Sequence, residues 1–98
     1  MYKKGFFKAK TAKEKIINAI REEGFDPILI NDKPGFIYET HQHLEAKLIV
    51  CLKGSMKVKV KTEEYDFEPG DKLLISGNTP HSAIVGSEGC VFYWSEKI

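Results

Sequence analysis

The chain has 98 residues, 42% hydrophobic and 30% charged, which suits one globular domain with one core and leaves little room for a second. Fifteen lysine and arginine residues against fourteen acidic ones give a net charge of +1, and Arg21 is the only arginine, so neither nucleic acid nor an anionic membrane is an expected partner. The longest apolar run, Leu48 to Leu52, is too short to cross a bilayer, and Met1 to Lys10 lacks the apolar core of a signal peptide, so a soluble, cytoplasmic protein is expected.

Met1 to Lys10 mixes four lysines with Tyr2, Phe6 and Phe7 and reads as a first strand at a sheet edge, or as a small basic-aromatic contact surface. Thr11 followed three residues later by Glu14 has the pattern of a capping box, and Ala12, Ile16, Ile17 and Ile20 form an apolar stripe ending near Gly24. One amphipathic helix over 11–24 is predicted, packed across the outside of the sheet or into a second chain. Ile28 to Ile30 make a short strand, and Asn31 to Gly35 are a turn by composition.

The strand that follows, Phe36 to His43, carries the chemistry. His41 and His43 lie two apart and point the same way on an extended strand, and the alternation carried backwards puts Glu39 and Ile37 on that face. Glu39 is thus a candidate acid near the histidines, or a charge at the rim paired with a lysine. Lys47 to Leu52 reads as a strand covered on both faces, with Ile49 and Cys51 in phase with Lys47. Gly54-Ser55 is expected to open a hairpin. The next strand alternates Met56, Val58 and Val60 with Lys57, Lys59 and Lys61, the lysines forming a solvated row that discourages edge pairing. Pro69-Gly70-Asp71 is a turn, Leu73 to Ile75 a strand, and Gly77 to Pro80 another turn. His81, the third and last histidine, opens a strand on which it shares a face with Ala83 and Val85. Gly86 to Gly89 reads as a turn into an aromatic-rich last strand. Cys51 and Cys90 are too few for a disulfide framework and read as buried thiols.

Gly35, His41-x-His43, Lys47 and Gly54 resemble, in spacing, the first motif of the cupin superfamily, G-x5-H-x-H-x3or4-E-x6-G, with Lys47 in place of the glutamate. Gly70 and His81 resemble the second motif, G-x5-P-x-G-x2-H-x3-N, where Ser76, Asn78 and Val85 replace the proline, the second glycine and the asparagine. The resemblance implies an all-β fold, a small antiparallel jelly-roll barrel with one N-terminal helix. Residues 1–98 then form one domain, with 1–25 as strand and helix and 26–98 as the barrel. It also implies a homodimer, and a site in which three histidines and a glutamate hold iron, manganese, nickel, zinc or copper.

Carried over residue by residue, that role falls to His41, His43 and His81 and is denied to Lys47. An ammonium about 5 Å from a divalent ion would be repelled by roughly 6 kcal/mol at an effective dielectric constant of about 20. Lys47 must therefore lose its proton, swing away, pair with a carboxylate, or leave the site without metal. Glu45 is the candidate fourth ligand, and Ile49, Cys51 and Ala83 are the expected pocket lining. Two function classes follow. One is a metal-dependent oxygenase, isomerase or hydrolase acting on a small molecule, with Lys47 or Glu39 as proton donor or anion contact. The other is a non-catalytic, even metal-free, module that binds or senses a small molecule in the same pocket.

Overall fold

The computed structural model describes residues 1–98. One short helix, α1 (Lys13–Glu22), is followed by strands that all pair antiparallel. These are β2 (Phe25–Asp32), β3 (Ile37–His41), β4 (Lys47–Val60), β5 (Glu63–Phe67), β6 (Lys72–Ile75) and β7 (His81–Lys97), and a two-residue β1 (Tyr2–Lys3) precedes the helix. No helix is long and apolar enough to cross a membrane.

Two long strands build the barrel. β4 runs for 14 residues and β7 for 17, and they pair with each other along nearly their whole length, from Lys47 opposite Glu96 to Val60 opposite His81. Their outer partners change halfway. The first half of β4 pairs with β6 and the second with β5, while β2 pairs with the end of β7 and β3 with its start. One continuous ladder thus supplies both sheets of the jelly roll, β1-β6-β4-β7-β2 on one side and β5-β4-β7-β3 on the other.

The expected hairpin at Gly54-Ser55 and turn at Gly86 to Gly89 are therefore absent, and the glycines do a different job. The register between β4 and β7 slips between Cys51 and Lys53 and again between Gly54 and Met56, where the ladder bends from one sheet into the other. Gly54 (φ 73°) and Gly89 (φ 76°) meet there, and a Cβ on Gly54 would run into the Gly89 carbonyl. The bend also reverses the side-chain phase. Ile49 and Cys51 face the interior before it and Met56 and Val58 after it; Val85 precedes it on β7, and Cys90 and Phe92 follow. These residues, with Phe67, Leu73 and Ile75, fill the barrel core.

A second core lies on the outer face of the first sheet. Leu48 and Val50, which alternate with the inward residues of β4, pack with Tyr93, Phe25 and the helix residues Ile16 and Ile20. Burying each isoleucine contributes about 2 kcal/mol. Ile17 is half-buried against the same cluster, so the helix packs across the outside of the sheet. The predicted capping box does not form: Ala12 occupies the cap position without a side-chain bond, and the Thr11 hydroxyl donates to the Lys8 carbonyl instead.

The N-terminal segment is fastened by Asp71, which is almost fully buried. Its carboxylate accepts hydrogen bonds from the Tyr2 hydroxyl (2.6 Å) and the backbone N–H groups of Gly5 (2.7 Å) and Glu68 (2.8 Å), with the Lys4 ammonium 3.6 Å away. Burial, followed by that bond to Asp71, pushes the Tyr2 phenol up to about 12. Asp71→Ala leaves these donors without their acceptor and is expected to destabilise the protein by about 3 kcal/mol, measured by urea unfolding. Gly54→Ala, forced into a left-handed backbone and against the Gly89 carbonyl, is expected to cost about 2–4 kcal/mol, whereas alanine at the exposed Lys57 should change stability by less than about 0.5 kcal/mol.

Candidate metal centre

His41, His43 and His81 converge. One ligand-capable atom from each lies within 4.8 Å of the others, and the ring centres are 4.8 Å (His41 to His43), 4.4 Å (His41 to His81) and 5.3 Å (His43 to His81) apart. Nitrogens bound at 2.0–2.1 Å to a tetrahedral ion are separated by roughly 3.4 Å, so small ring rotations close the group on a metal. Three elements deliver the rings: the end of β3, the loop after it and the start of β7, where His41 pairs directly with His81. The Asn78 N–H donates to the His43 carbonyl at 2.6 Å and ties the loop carrying His43 to the turn leading into His81.

Backbone carbonyls set the tautomers. Nδ1 of His41 lies 2.6 Å from the Glu39 carbonyl, and Nδ1 of His81 lies 2.8 Å from the Thr79 carbonyl. A carbonyl only accepts, so each Nδ1 carries the proton and each neutral ring presents the lone pair on Nε2. Nε2 of His43 and of His81 is buried and has no hydrogen-bond partner. Buried polar atoms are rarely left in this state, and a metal ion is a partner that suits the lone pair on Nε2 of His81 and would suit one on Nε2 of His43. Burial is the main cause of a lowered pKa at both residues; at His43 the neighbouring histidines and Lys47 add to it, and at His81 the Thr79 carbonyl partly offsets it. Neutral imidazole is the form that binds metal.

The other sequence-predicted residues divide. Ile49 and Ala83 line the pocket beside the histidines. Cys51 does not: it is sealed in the core with its sulfur 3.8 Å from that of Cys90, and that contact, then burial, pushes its thiol up, away from the ligating thiolate. Glu39 is exposed on the outer face. A bulge between Tyr38 and His41 inserts one residue, so the inward position preceding the histidines belongs to Tyr38, and Ile37 is also turned outward. Glu45 is exposed in the loop and is not a member of the histidine group.

Lys47 is buried and in phase with Ile49, but its ammonium is turned to Glu96 (3.4 Å) and stands 5.9 Å from the centre of the Trp94 ring. Trp94 in turn packs edge-on against His43 at 5.4 Å. The charge that replaces the expected carboxylate is thus held by a carboxylate of β7. Glu96 and Trp94 escaped the sequence reading because their partners are set by the pairing of Lys47 with Glu96 across the ladder, although the alternation Phe92, Trp94, Glu96 was visible.

The model of the AraC-like ligand-binding domain family matches residues 28–96, and the chain belongs to that family and to the cupin superfamily. No protein of curated function matches the sequence. Among solved structures, the chain is similar to KdgF from Halomonas sp. (19% identity, TM-score 0.65, 76% of this chain and 70% of that one) and to a cupin superfamily protein from Desulfitobacterium hafniense (17%, 0.65, 71% and 63%). It is also similar to an oxalate decarboxylase variant from Bacillus subtilis, at 26% identity and a TM-score of 0.68 over 80% of this chain and 23% of that one. The chain therefore spans less than a quarter of the decarboxylase and about two thirds of the other two.

Both lowered histidine pKa values return to the ordinary 6.5 on unfolding, so below that pH the unfolded chain binds more protons than the folded one. Stability of the metal-free protein is then fully present above pH 6.5 and declines on acidification. The melting temperature is expected to hold above pH 6.5 and to fall as pH is lowered below it, and to fall less in His81→Leu, which removes one of the two groups; equal slopes for both proteins would contradict this origin.

Proposed function

We propose that this cupin binds a divalent transition metal through Nε2 of His41, His43 and His81, in a pocket that accepts a small molecule. The observation that carries the reading is the pair of buried, unpartnered Nε2 atoms of His43 and His81, aimed with His41 at a common region. Iron, nickel, zinc and copper all suit three neutral imidazoles with open positions, whereas manganese favours the carboxylate that this site lacks. A metal bound there supplies Lewis-acid polarisation of a coordinated oxygen. The chain's own part is to hold the His41 and His81 rings by their Nδ1 bonds, to surround the site with an apolar wall, and to keep the Lys47 ammonium occupied with Glu96.

A second reading, a non-catalytic binding or sensing module, is favoured by one specific observation. No aspartate, glutamate, lysine or arginine lines the pocket, so apart from the histidines no acid or base stands ready for proton transfer. The description of the matching family as ligand-binding agrees with it. The reading also places the protein in the cytoplasm, where the unbridged Cys51 and Cys90 persist as thiols, and takes it as a homodimer, supported by exposed Leu29, Ile37 and Ile84 on the outer faces of β2, β3 and β7.

Trp94 is the only tryptophan and touches His43, so a paramagnetic ion at the histidines should quench its fluorescence. Titration with nickel or copper is expected to saturate at one ion per chain, and His81→Ala should weaken binding at least about 100-fold. Unquenched fluorescence and no metal uptake by elemental analysis would exclude the metal reading. The pairing of Lys47 with Glu96 sharpens the test. Lys47→Glu alone sets two carboxylates together, whereas Lys47→Glu with Glu96→Gln offers one free carboxylate beside the histidines and is expected to tighten metal binding at least about tenfold over wild type.

A further inference from the structure

The pocket beside the histidines has a volume of about 310 Å³. Ten of its fourteen lining residues are hydrophobic, and the four others are the three histidines and Ser82. Ile28, Ile49, Val58, Ile75, Phe92 and Trp94 contribute to the wall from both sheets. Tyr38 also lines it, but its hydroxyl is committed to the Asp32 carboxylate. No cation lines the cavity, and Lys47, the one buried beside it, is paired with Glu96. Apart from the Ser82 hydroxyl and the Trp94 indole N–H, the polarity of the lining is therefore gathered at the histidines, opposite hydrocarbon.

We propose that the ligand is a compact molecule with an apolar aryl or alkyl body and a single oxygen-donor head group, the head directed to the histidines and the body to the wall. The proposal rests on the metal-binding reading for the head group and on the cavity alone for the body. A dicarboxylate or a polyhydroxylated sugar places its distal polar groups against carbon with nothing to pair them, which penalises binding. An apolar body gains affinity in proportion to the area it buries. A dry apolar cavity of about 150 Å³ accepts benzene, so this one has room for a fused bicycle or a short alkylbenzene. Ile28, half-exposed on β2, marks the mouth through which the body enters.

The test uses nickel-loaded protein and a series with one head group, acetohydroxamate, benzohydroxamate and 2-naphthohydroxamate, with oxalate as the polar counterpart. Binding is followed by Trp94 fluorescence and calorimetry. Affinity is expected to rise at least about fivefold at each step of the series, and oxalate to bind more weakly than benzohydroxamate. A flat series, or oxalate the tightest, overturns the proposal while leaving the metal site intact. The metal-free protein is titrated with naphthalene and toluene, which have no head group. If nickel does not bind yet naphthalene perturbs Trp94 more strongly than toluene, the metal reading fails and the apolar pocket stands; if neither nickel nor naphthalene binds, both fail. Ile28→Lys, at an exposed position that tolerates charge, should weaken the naphthyl compound at least about threefold and strengthen oxalate. The reverse order would count against an apolar wall.

Discussion

The pairing of β4 with β7 is the constraint on which everything else depends. Each strand belongs to both sheets, so the ladder between them must bend, and the bend is possible only where backbone can approach backbone without side chains. Gly54 against Gly89 supplies that point. From it follow the placement of Ile49 and Met56 on one interior despite their odd spacing, the delivery of His81 opposite the end of β3, and the freeing of the outer face of β4 for the helix. The site lies toward one end of the barrel, where Lys47 and Val60, the two ends of β4, stand opposite Glu96 and His81. Cys51 and Cys90 lie away from it in the core, beside the bend.

The substitution of lysine for a carboxylate beside three histidines is accommodated by rerouting rather than by neutralising the lysine. Cross-strand pairing sets Lys47 opposite Glu96, and the ammonium leans over Trp94 toward that carboxylate. The pair is uneven, since the Lys47 side chain is nearly buried and that of Glu96 largely exposed, so solvent screens it and its worth lies in holding charge away from the rings rather than in stability. Lys47 still contributes to the depressed pKa of His43, which shows that the separation is incomplete. The effect favours neutral His43, the form that ligation requires, so the lysine acts in the same direction as burial until an ion arrives and against the ion afterwards.

Much of this was legible in the chain, and the boundary of what was legible has a physical cause. Alternation correctly grouped Ile49 with Cys51, Met56 with Val58, and His81 with Ala83 and Val85, because each set lies within an uninterrupted stretch of pleat. It failed at Glu39, where the phase was carried from His41 across a bulge, and Tyr38 took the inward place. A one-residue insertion leaves no mark in hydrophobicity when both candidates flank polar residues. Glycine pairs were read as turns at Gly54 and at Gly86 to Gly89 because a bend within a strand and a reversal between strands use the same residue for the same reason, a positive φ. Cys51 was placed in the pocket by phase alone, and phase says which side a residue faces but not how deep along the barrel it lies. The three histidines needed no such depth, since one ends a strand, one lies two residues on in the loop after it, and the third opens a strand after a turn.

The apolar wall and the neutral histidines are two expressions of one environment. Burial against apolar side chains disfavours the charged imidazolium, and it is the leading cause of the lowered pKa at His43 and His81. The same burial leaves their Nε2 atoms without partners, polar atoms that a metal ion could satisfy. A polar lining would relieve those atoms and raise those pKa values together, and would weaken the site as a trap for a cation. The absence of other polar side chains around the rings is therefore consistent with metal capture and with selection of an apolar body by one cause, and the chemical character of the pocket is set as much by Ile49, Val58, Ile75 and Phe92 as by the histidines they surround.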